Sequence, residues 1–407
     1  MNEIITTNAS SSMINEISNS TQCLQRKLTD EKSSTFYIKE KIKNDKIREP
    51  LEEYKSQVYP LEKELFKCIN LNWGEDIISE DMPLIEDNNH CNYYLHLFRT
   101  ANPSPNKENF FLIHGFLSSG LHFLCLIPYL IKRYNIFIPD TIGMGLSSRP
   151  KIKFTSPMQC EEYFLNIYHL VIKNIFFKGK FNIKQEYYLC GHSLGGFFAS
   201  RYLLKYPKGI KKLLLLSPAG ITDYRIPGTS MHREASYKMY FLTICCPTLV
   251  WPCKLRVQNM YRCCCCHNLI KNYYGTYIFN FDESEIKKNS DGSNFKIDEK
   301  KIASILRKLT ILSLDYPDDL YECAYYLFGV PPPAAYLPIE RKIWEINTRQ
   351  IIFVFGEKDW MDKIGAYRLN YYNKELYKVF SIHNSGHSFA MENPKELTDI
   401  IGQYFED

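Results

Sequence analysis

An apolar run, Tyr187-Tyr188-Leu189-Cys190, stops at Gly191-His192-Ser193-Leu194-Gly195-Gly196, and beyond it Phe197, Phe198, Tyr202 and Leu203 fall on one helical face. A buried strand that turns into a helix within a few residues is half of a β–α crossover unit, and such a unit demands a parallel neighbour. The G-x-S-x-G spacing gives the turn a purpose. Glycines at 191 and 195 let the chain pass a crowded corner, which lifts the Ser193 hydroxyl toward solvent. The N–H groups of the new helix point at the same place.

The same grammar recurs along the chain. Asn92 to Phe98 reads as a strand. Phe110 to Ile113 ends at His114-Gly115, and Tyr134 to Ile138 ends at Pro139-Asp140. Lys212 to Leu216 ends at Ser217-Pro218, and Ile351 to Phe355 ends at Gly356. Tyr377 to Ile382 ends just before Gly386-His387, and Pro394 opens a terminal helix reaching Phe405. Short continuous apolar runs separated by helix-length segments predict an α/β fold, a mostly parallel sheet flanked by helices. Residues 221–345 interrupt the alternation with a helical, aromatic pattern, so they read as a mainly helical inserted cap (lid). Residues 1–50 are polar and read as a disordered tail. The core is then expected in two parts, 51–220 and 346–407, with Leu61, Leu65 and Phe66 at helical spacing near its start.

Composition narrows the function classes. At 407 residues, with 45% hydrophobic and 23% charged, the chain is neither disordered, collagen-like nor a small disulfide scaffold. A net charge of +5 is too weak to argue for a nucleic-acid partner. Outside the run 263–266 the 14 cysteines show no zinc-site spacing, and consecutive ligands rarely span a tetrahedron, so no metal is expected. The start, MNEIITTNASSS, lacks a basic segment followed by an apolar core, so the expectation is a cytoplasmic protein with reduced thiols. No window is apolar enough over roughly 18 residues to suggest a spanning helix. The run Cys263, Cys264, Cys265, Cys266 has three readings: small residues in a variable insertion, S-acylation sites on a membrane-facing patch beside Arg262 and Lys254, or a metal site, the least favoured.

The candidate chemistry is nucleophilic catalysis. Ser193 is the nucleophile. His387 is the base, because it follows the last strand at the sheet edge where ligand loops converge, and imidazole titrates near neutral pH. His383, in the same segment, is a rival. A carboxylate to orient the imidazole lies in Gly356-Glu357-Lys358-Asp359-Trp360-Met361-Asp362; Asp359 and Asp362 both qualify, and the distance from the strand end favours Asp359. The backbone N–H groups of Phe116 and Leu194 are the expected oxyanion hole.

These marks, in the chain order Ser…Asp…His, resemble those of the α/β-hydrolases. Asp140-Thr141-Ile142-Gly143-Met144-Gly145-Leu146-Ser147-Ser148-Arg149-Pro150 is similar to a D-x-x-G-x-G-x-S-x-R-P stretch of one subgroup, and Gly356 to Asp362 is similar to its G-x-x-D-W-M segment. That subgroup is the CGI-58-like abhydrolases, with N-acyl-phospholipid and lysophospholipid lipases, cardiolipin-trimming phospholipases and a lipolysis co-activator. The resemblance implies a serine ester hydrolase without a cofactor, acting on a lipid ester and working on or near a membrane or lipid-droplet surface. It also raises two alternatives. One is a lysophospholipid acyltransferase, since the group often carries H-x4-D and this chain has His387 followed by Glu392. The other is a non-catalytic regulator of another lipase, although that co-activator has asparagine where this chain keeps Ser193.

Overall fold

The computed structural model describes residues 51–84, 93–226, 297–315, 323–328, 335–346 and 349–405. The tail over 1–50, the cysteine run 263–266 and most of the expected cap lie outside the described residues.

Eight strands form one sheet: β1 (Ile77–Pro83), β2 (Tyr94–Thr100), β3 (Glu108–Ile113), β4 (Tyr134–Pro139), β5 (Tyr187–His192), β6 (Ile210–Leu216), β7 (Ile351–Gly356) and β8 (Tyr377–Ile382). Their spatial order is β1-β2-β4-β3-β5-β6-β7-β8. Only β2 runs against its neighbours; β4 through β8 pair in parallel. β4, β5 and β7 are buried along their whole length, as strands covered on both faces must be, which is why they appear in the sequence as unbroken apolar runs.

The covering helices are α1 (Leu51–Cys68), α2 (Pro157–Ile172), α3 (Leu194–Lys205), α4 (Glu299–Asp315), α5 (Ile364–Tyr372) and α6 (Pro394–Phe405). Local chemistry starts them. Ser156 caps α2 by accepting from Gln159 N at 3.2 Å, with Pro157 in the first turn, where its missing N–H costs nothing. Phe405 closes α6 against Phe110 and Tyr188, with ring centroids 5.6 and 4.8 Å apart, and Tyr188 Oη donates to Phe405 O at 2.7 Å.

The chain leaves the sheet after β6 and returns to it before β7. The two ends of this excursion meet: Ile339 N donates to Gly220 O at 2.9 Å and Glu340 N to Ile221 O at 3.1 Å. Thr222 Oγ1 accepts from Gly365 N at 3.0 Å, and the buried Glu340 pairs with Arg368 of α5 at 2.6 Å. A long excursion pinned at its base adds closure entropy that grows only slowly with its length.

β1 was not visible in the sequence. Its residues, IISEDMP, include two acids and form an edge strand, so no apolar run marks it. One of those acids serves the packing of α1. Asp81 accepts from His96 Nδ1 at 3.0 Å and from Lys55 Nζ of α1 at 2.7 Å. The fully buried His96 also faces Glu62 of α1 at 3.4 Å, an ionic contact without hydrogen-bond geometry. Burial alone would lower the pKa of His96; Glu62 and Asp81 more than offset this and raise it to about 10. Burial likewise pushes Glu62 up, against the pull of His96.

The folded chain therefore holds the His96 proton more tightly than an unfolded chain does. Stability from this group is complete below about pH 6.5 and declines as pH climbs toward 10. The raised Glu62 acts in the same direction. Urea unfolding at pH 6.5 and 9.5 should show wild type losing on the order of 2 kcal/mol more than His96→Gln over that interval. Equal slopes would mean that His96 is not held as an imidazolium.

Candidate active site

The C-terminal ends of β3, β5, β6, β7 and β8 converge at one edge of the sheet, where loops in parallel sheets form ligand crevices. Ser193 stands between β5 and α3 at φ 54°, ψ −116°, a conformation non-glycine residues rarely adopt. Its backbone is bound on both sides. Ser193 N donates to Leu216 O at 2.9 Å, and Ser193 O accepts from Phe197 N at 3.1 Å and Ala219 N at 3.0 Å. Cβ atoms at the flanking glycines would strike backbone: one at 191 would meet Gly195 O, and one at 195 would meet Ile113 O and His114 O. The elbow is thus strained and over-determined, and the Ser193 side chain is left partly exposed.

His387 lies beyond β8, and its Nδ1 is 3.0 Å from Asp359 Oδ1. The Asp359 side chain is fully buried. Burial would raise its carboxyl pKa, but His387, the Ser217 hydroxyl and Met361 N–H outweigh burial and hold it below the usual range. Asp362 does not take part. Its Oδ1 accepts from Ile364 N at 2.8 Å, closing the turn that starts α5. His383 also stands apart, with an exposed side chain hydrogen-bonded to Glu396 at 2.6 Å.

The loop after β3 lies against the elbow: a Cβ on Gly115 would come within 3.0 Å of His192 Nδ1 and 3.1 Å of Ser193 Cβ. Phe116 follows it. Leu194 is the first residue of α3, so its N–H has no acceptor inside the helix. His114 fixes this loop, with Nε2 accepting from Thr141 N and Nδ1 donating to Gly115 O, both at 2.8 Å. Burial lowers the His114 pKa and favours the neutral ring that this pattern requires. Asp140, the first residue of the D-x-x-G-x-G stretch, accepts from Gly120 N at 2.6 Å and Leu146 N at 2.8 Å. Its role is to tie the loop after β4 to the turn after β3.

Four contributors were given no role from the sequence. Ser217, buried at the end of β6 at φ 43°, donates its hydroxyl to Asp359 Oδ2. His192 donates Nε2–H to the His387 carbonyl at 2.8 Å, and its ring stacks on His122 at 3.9 Å between centroids. Burial keeps both rings neutral, with His122 lowered to about 3. Trp360 lies 4.8 Å from the His387 ring. Position at a strand end was the available signal for Ser217; nothing in the sequence distinguished His122. Among the described residues no three His, Cys, Asp or Glu side chains come together to hold a metal ion, and no helix is long and apolar enough to cross a membrane. The five described cysteines (68, 125, 160, 190 and 323) are buried and unbridged.

A family model described as alpha/beta hydrolase fold matches residues 108–242, the stretch from β3 through the elbow and β6. The chain has the α/β-hydrolase fold. Among its relatives, Protein ECM18 of Saccharomyces cerevisiae is 22% identical over 76% of this chain and 73% of that protein. A 1-acylglycerol-3-phosphate O-acyltransferase of Arabidopsis thaliana is 23% identical over 70% of this chain and 63% of that protein. The human (Lyso)-N-acylphosphatidylethanolamine lipase is 30% identical over 30% of this chain and 33% of that protein. These likenesses agree with the resemblance of its motifs to the CGI-58-like abhydrolases. The carboxylesterase CesB of Bacillus subtilis shares the fold, with a TM-score of 0.53 at 14% identity, over 87% of this chain and 99% of that one.

Proposed function

We propose that the protein is a serine ester hydrolase of lipase, phospholipase or lysophospholipase type, cleaving acyl esters through an acyl-enzyme on Ser193. The observation that carries this is that a serine held at positive φ and a His387 ring paired with the buried Asp359 stand at the same edge of the sheet. Asp359 occupies Nδ1 of the imidazole, so Nε2 is the nitrogen left to take the Ser193 proton as the hydroxyl attacks the ester carbonyl. The oxyanion falls to the N–H groups of Phe116 and Leu194, each contributing about 3 kcal/mol to barrier lowering. His387 then protonates the departing alcohol, and water, deprotonated by the same imidazole, releases the acid. No cofactor enters these steps.

A cleft that reaches His122 is lined by Val58 of α1, Leu121, Leu306 and Leu309 of α4, and Met391, together with Glu62, Ser118, Ser119 and Thr310, a mixed lining that supports an acyl substrate with a polar part. The relative named as a (lyso)-N-acylphosphatidylethanolamine lipase supports the same substrate class. In this reading residues 221–345 are the cap, α4 is its described wall over the cleft, and the protein works at a membrane or lipid-droplet surface. The second reading is acyl transfer, in which a lysolipid hydroxyl replaces water at the acyl-enzyme. The relative named as a 1-acylglycerol-3-phosphate O-acyltransferase favours it.

Fluorophosphonate labelling of wild type, with fatty-acid release from a lysophospholipid panel, tests the proposal. Adding acyl-CoA and lysophosphatidic acid separates the two readings: free acid supports hydrolysis, phosphatidic acid supports transfer. A folded protein that neither labels nor turns over any of these would end the enzyme reading and favour the lipid-binding regulator.

A further inference from the structure

Glu392 ends the single helical turn Phe389–Glu392 that follows His387, and its carboxylate folds back over the loop. Gly386 N donates to Glu392 Oε2 at 2.6 Å, a short charge-assisted bond to the amide immediately before His387. The turn itself is closed by Met391 N and Glu392 N, which donate to Ser388 O at 2.8 and 3.1 Å. Behind the loop, Lys358 N donates to Ser385 O at 2.9 Å and ties it to the segment carrying Asp359. His387 is therefore held at three places: at the preceding amide by Glu392, at its own carbonyl by His192, and at its ring by Asp359.

We propose that Glu392 is a positioning residue for His387, anchoring through the Gly386 amide the loop that carries the imidazole, so that it serves hydrolysis and acyl transfer alike. The inference rests on His387 being the base of the proposed reaction. It assigns the His387-x4-Glu392 spacing a role distinct from one confined to acyl transfer. The glutamate is longer than aspartate by one methylene, and in this chain that length is what carries the carboxylate to the Gly386 amide.

Asp359, His387 and Lys358 are the charged or titratable groups that act on Glu392. His387 in turn is faced by Asp359, His192, His122 and Glu392. Burial, reinforced by Asp359, raises the Glu392 pKa against the pull of the Gly386 amide.

The variants Glu392→Gln and Glu392→Ala separate bond from charge, because a glutamine Oε1 still accepts from Gly386 N. For hydrolysis of a p-nitrophenyl acyl ester, Glu392→Ala is expected to lower kcat by about 10- to 100-fold with little change in KM. Glu392→Gln should recover most of that loss, because the bond to the Gly386 amide is kept. Hydrolysis and any transfer from acyl-CoA to lysophosphatidic acid should fall in the same ratio. Loss of transfer with hydrolysis intact would overturn the proposal and place Glu392 in an acceptor site; so would an unchanged rate in both variants. If wild type has no ester turnover, the His387 ring is followed instead by NMR, assigned with His387→Gln. Displaced or broadened His387 ring resonances in Glu392→Ala that Glu392→Gln restores then uphold the positioning role while the hydrolase reading fails, and resonances unmoved in Glu392→Ala overturn the role itself.

Discussion

Ser193→Ala is expected to abolish fluorophosphonate labelling and to lower ester turnover by about 10⁴- to 10⁶-fold, with the fold intact. The size follows from the chemistry. Without the hydroxyl there is no acyl-enzyme, and only binding and the oxyanion donors remain to assist direct attack by water. The stability cost is small because the side chain is partly exposed and the contacts that fix this corner are backbone ones. Alanine keeps the strained φ of 54°, whereas glycine adopts it freely. Ser193→Gly should therefore be as inactive as Ser193→Ala and more stable than wild type by about 1 kcal/mol in urea unfolding. Its gain over Ser193→Ala would measure the strain stored at this corner. Residual labelling of Ser193→Ala, or turnover within tenfold of wild type, would remove Ser193 from the nucleophile role.

The parts of the site legible in the sequence are those with an unusual local pattern. Ser193 was marked by crowding that only glycines at 191 and 195 relieve, a constraint written in adjacent residues. His387 was marked by its place after a strand, and the parallel strands by runs that burial on both faces keeps apolar. What stayed hidden depends on contacts between distant segments. β1 carries acids because it is an edge strand whose Asp81 meets Lys55 and His96, and no alternation within seven residues reveals such partners. Ser217 looks like any serine before a proline until β6 sets it beside the loop of β7. His192 lies inside the elbow motif, and only the fold shows that its ring reaches the His387 carbonyl.

The sequence left two carboxylates open, and their environments predict opposite outcomes on substitution. Asp359→Asn is expected to lower kcat by about 10⁴-fold with KM nearly unchanged. Asparagine can present N–H to Nδ1, which stabilises the wrong imidazole tautomer, and it cannot compensate the imidazolium that forms as Ser193 attacks. The effect is large because the Asp359 side chain is fully buried, so water does not substitute for the lost charge. Ser217 makes the site more exacting still: its hydroxyl donates to Oδ2, an acceptor that asparagine replaces with a donor if Oδ1 is kept toward the ring. Asp362→Asn retains an oxygen for the Ile364 amide, so kcat should stay within about threefold and stability within about 1 kcal/mol of wild type. Steady-state kinetics of the two variants on one p-nitrophenyl ester decide the matter. If Asp362→Asn collapses kcat while Asp359→Asn does not, the acid of the reaction comes from the start of α5, and the Asp359–His387 contact at 3.0 Å is structural.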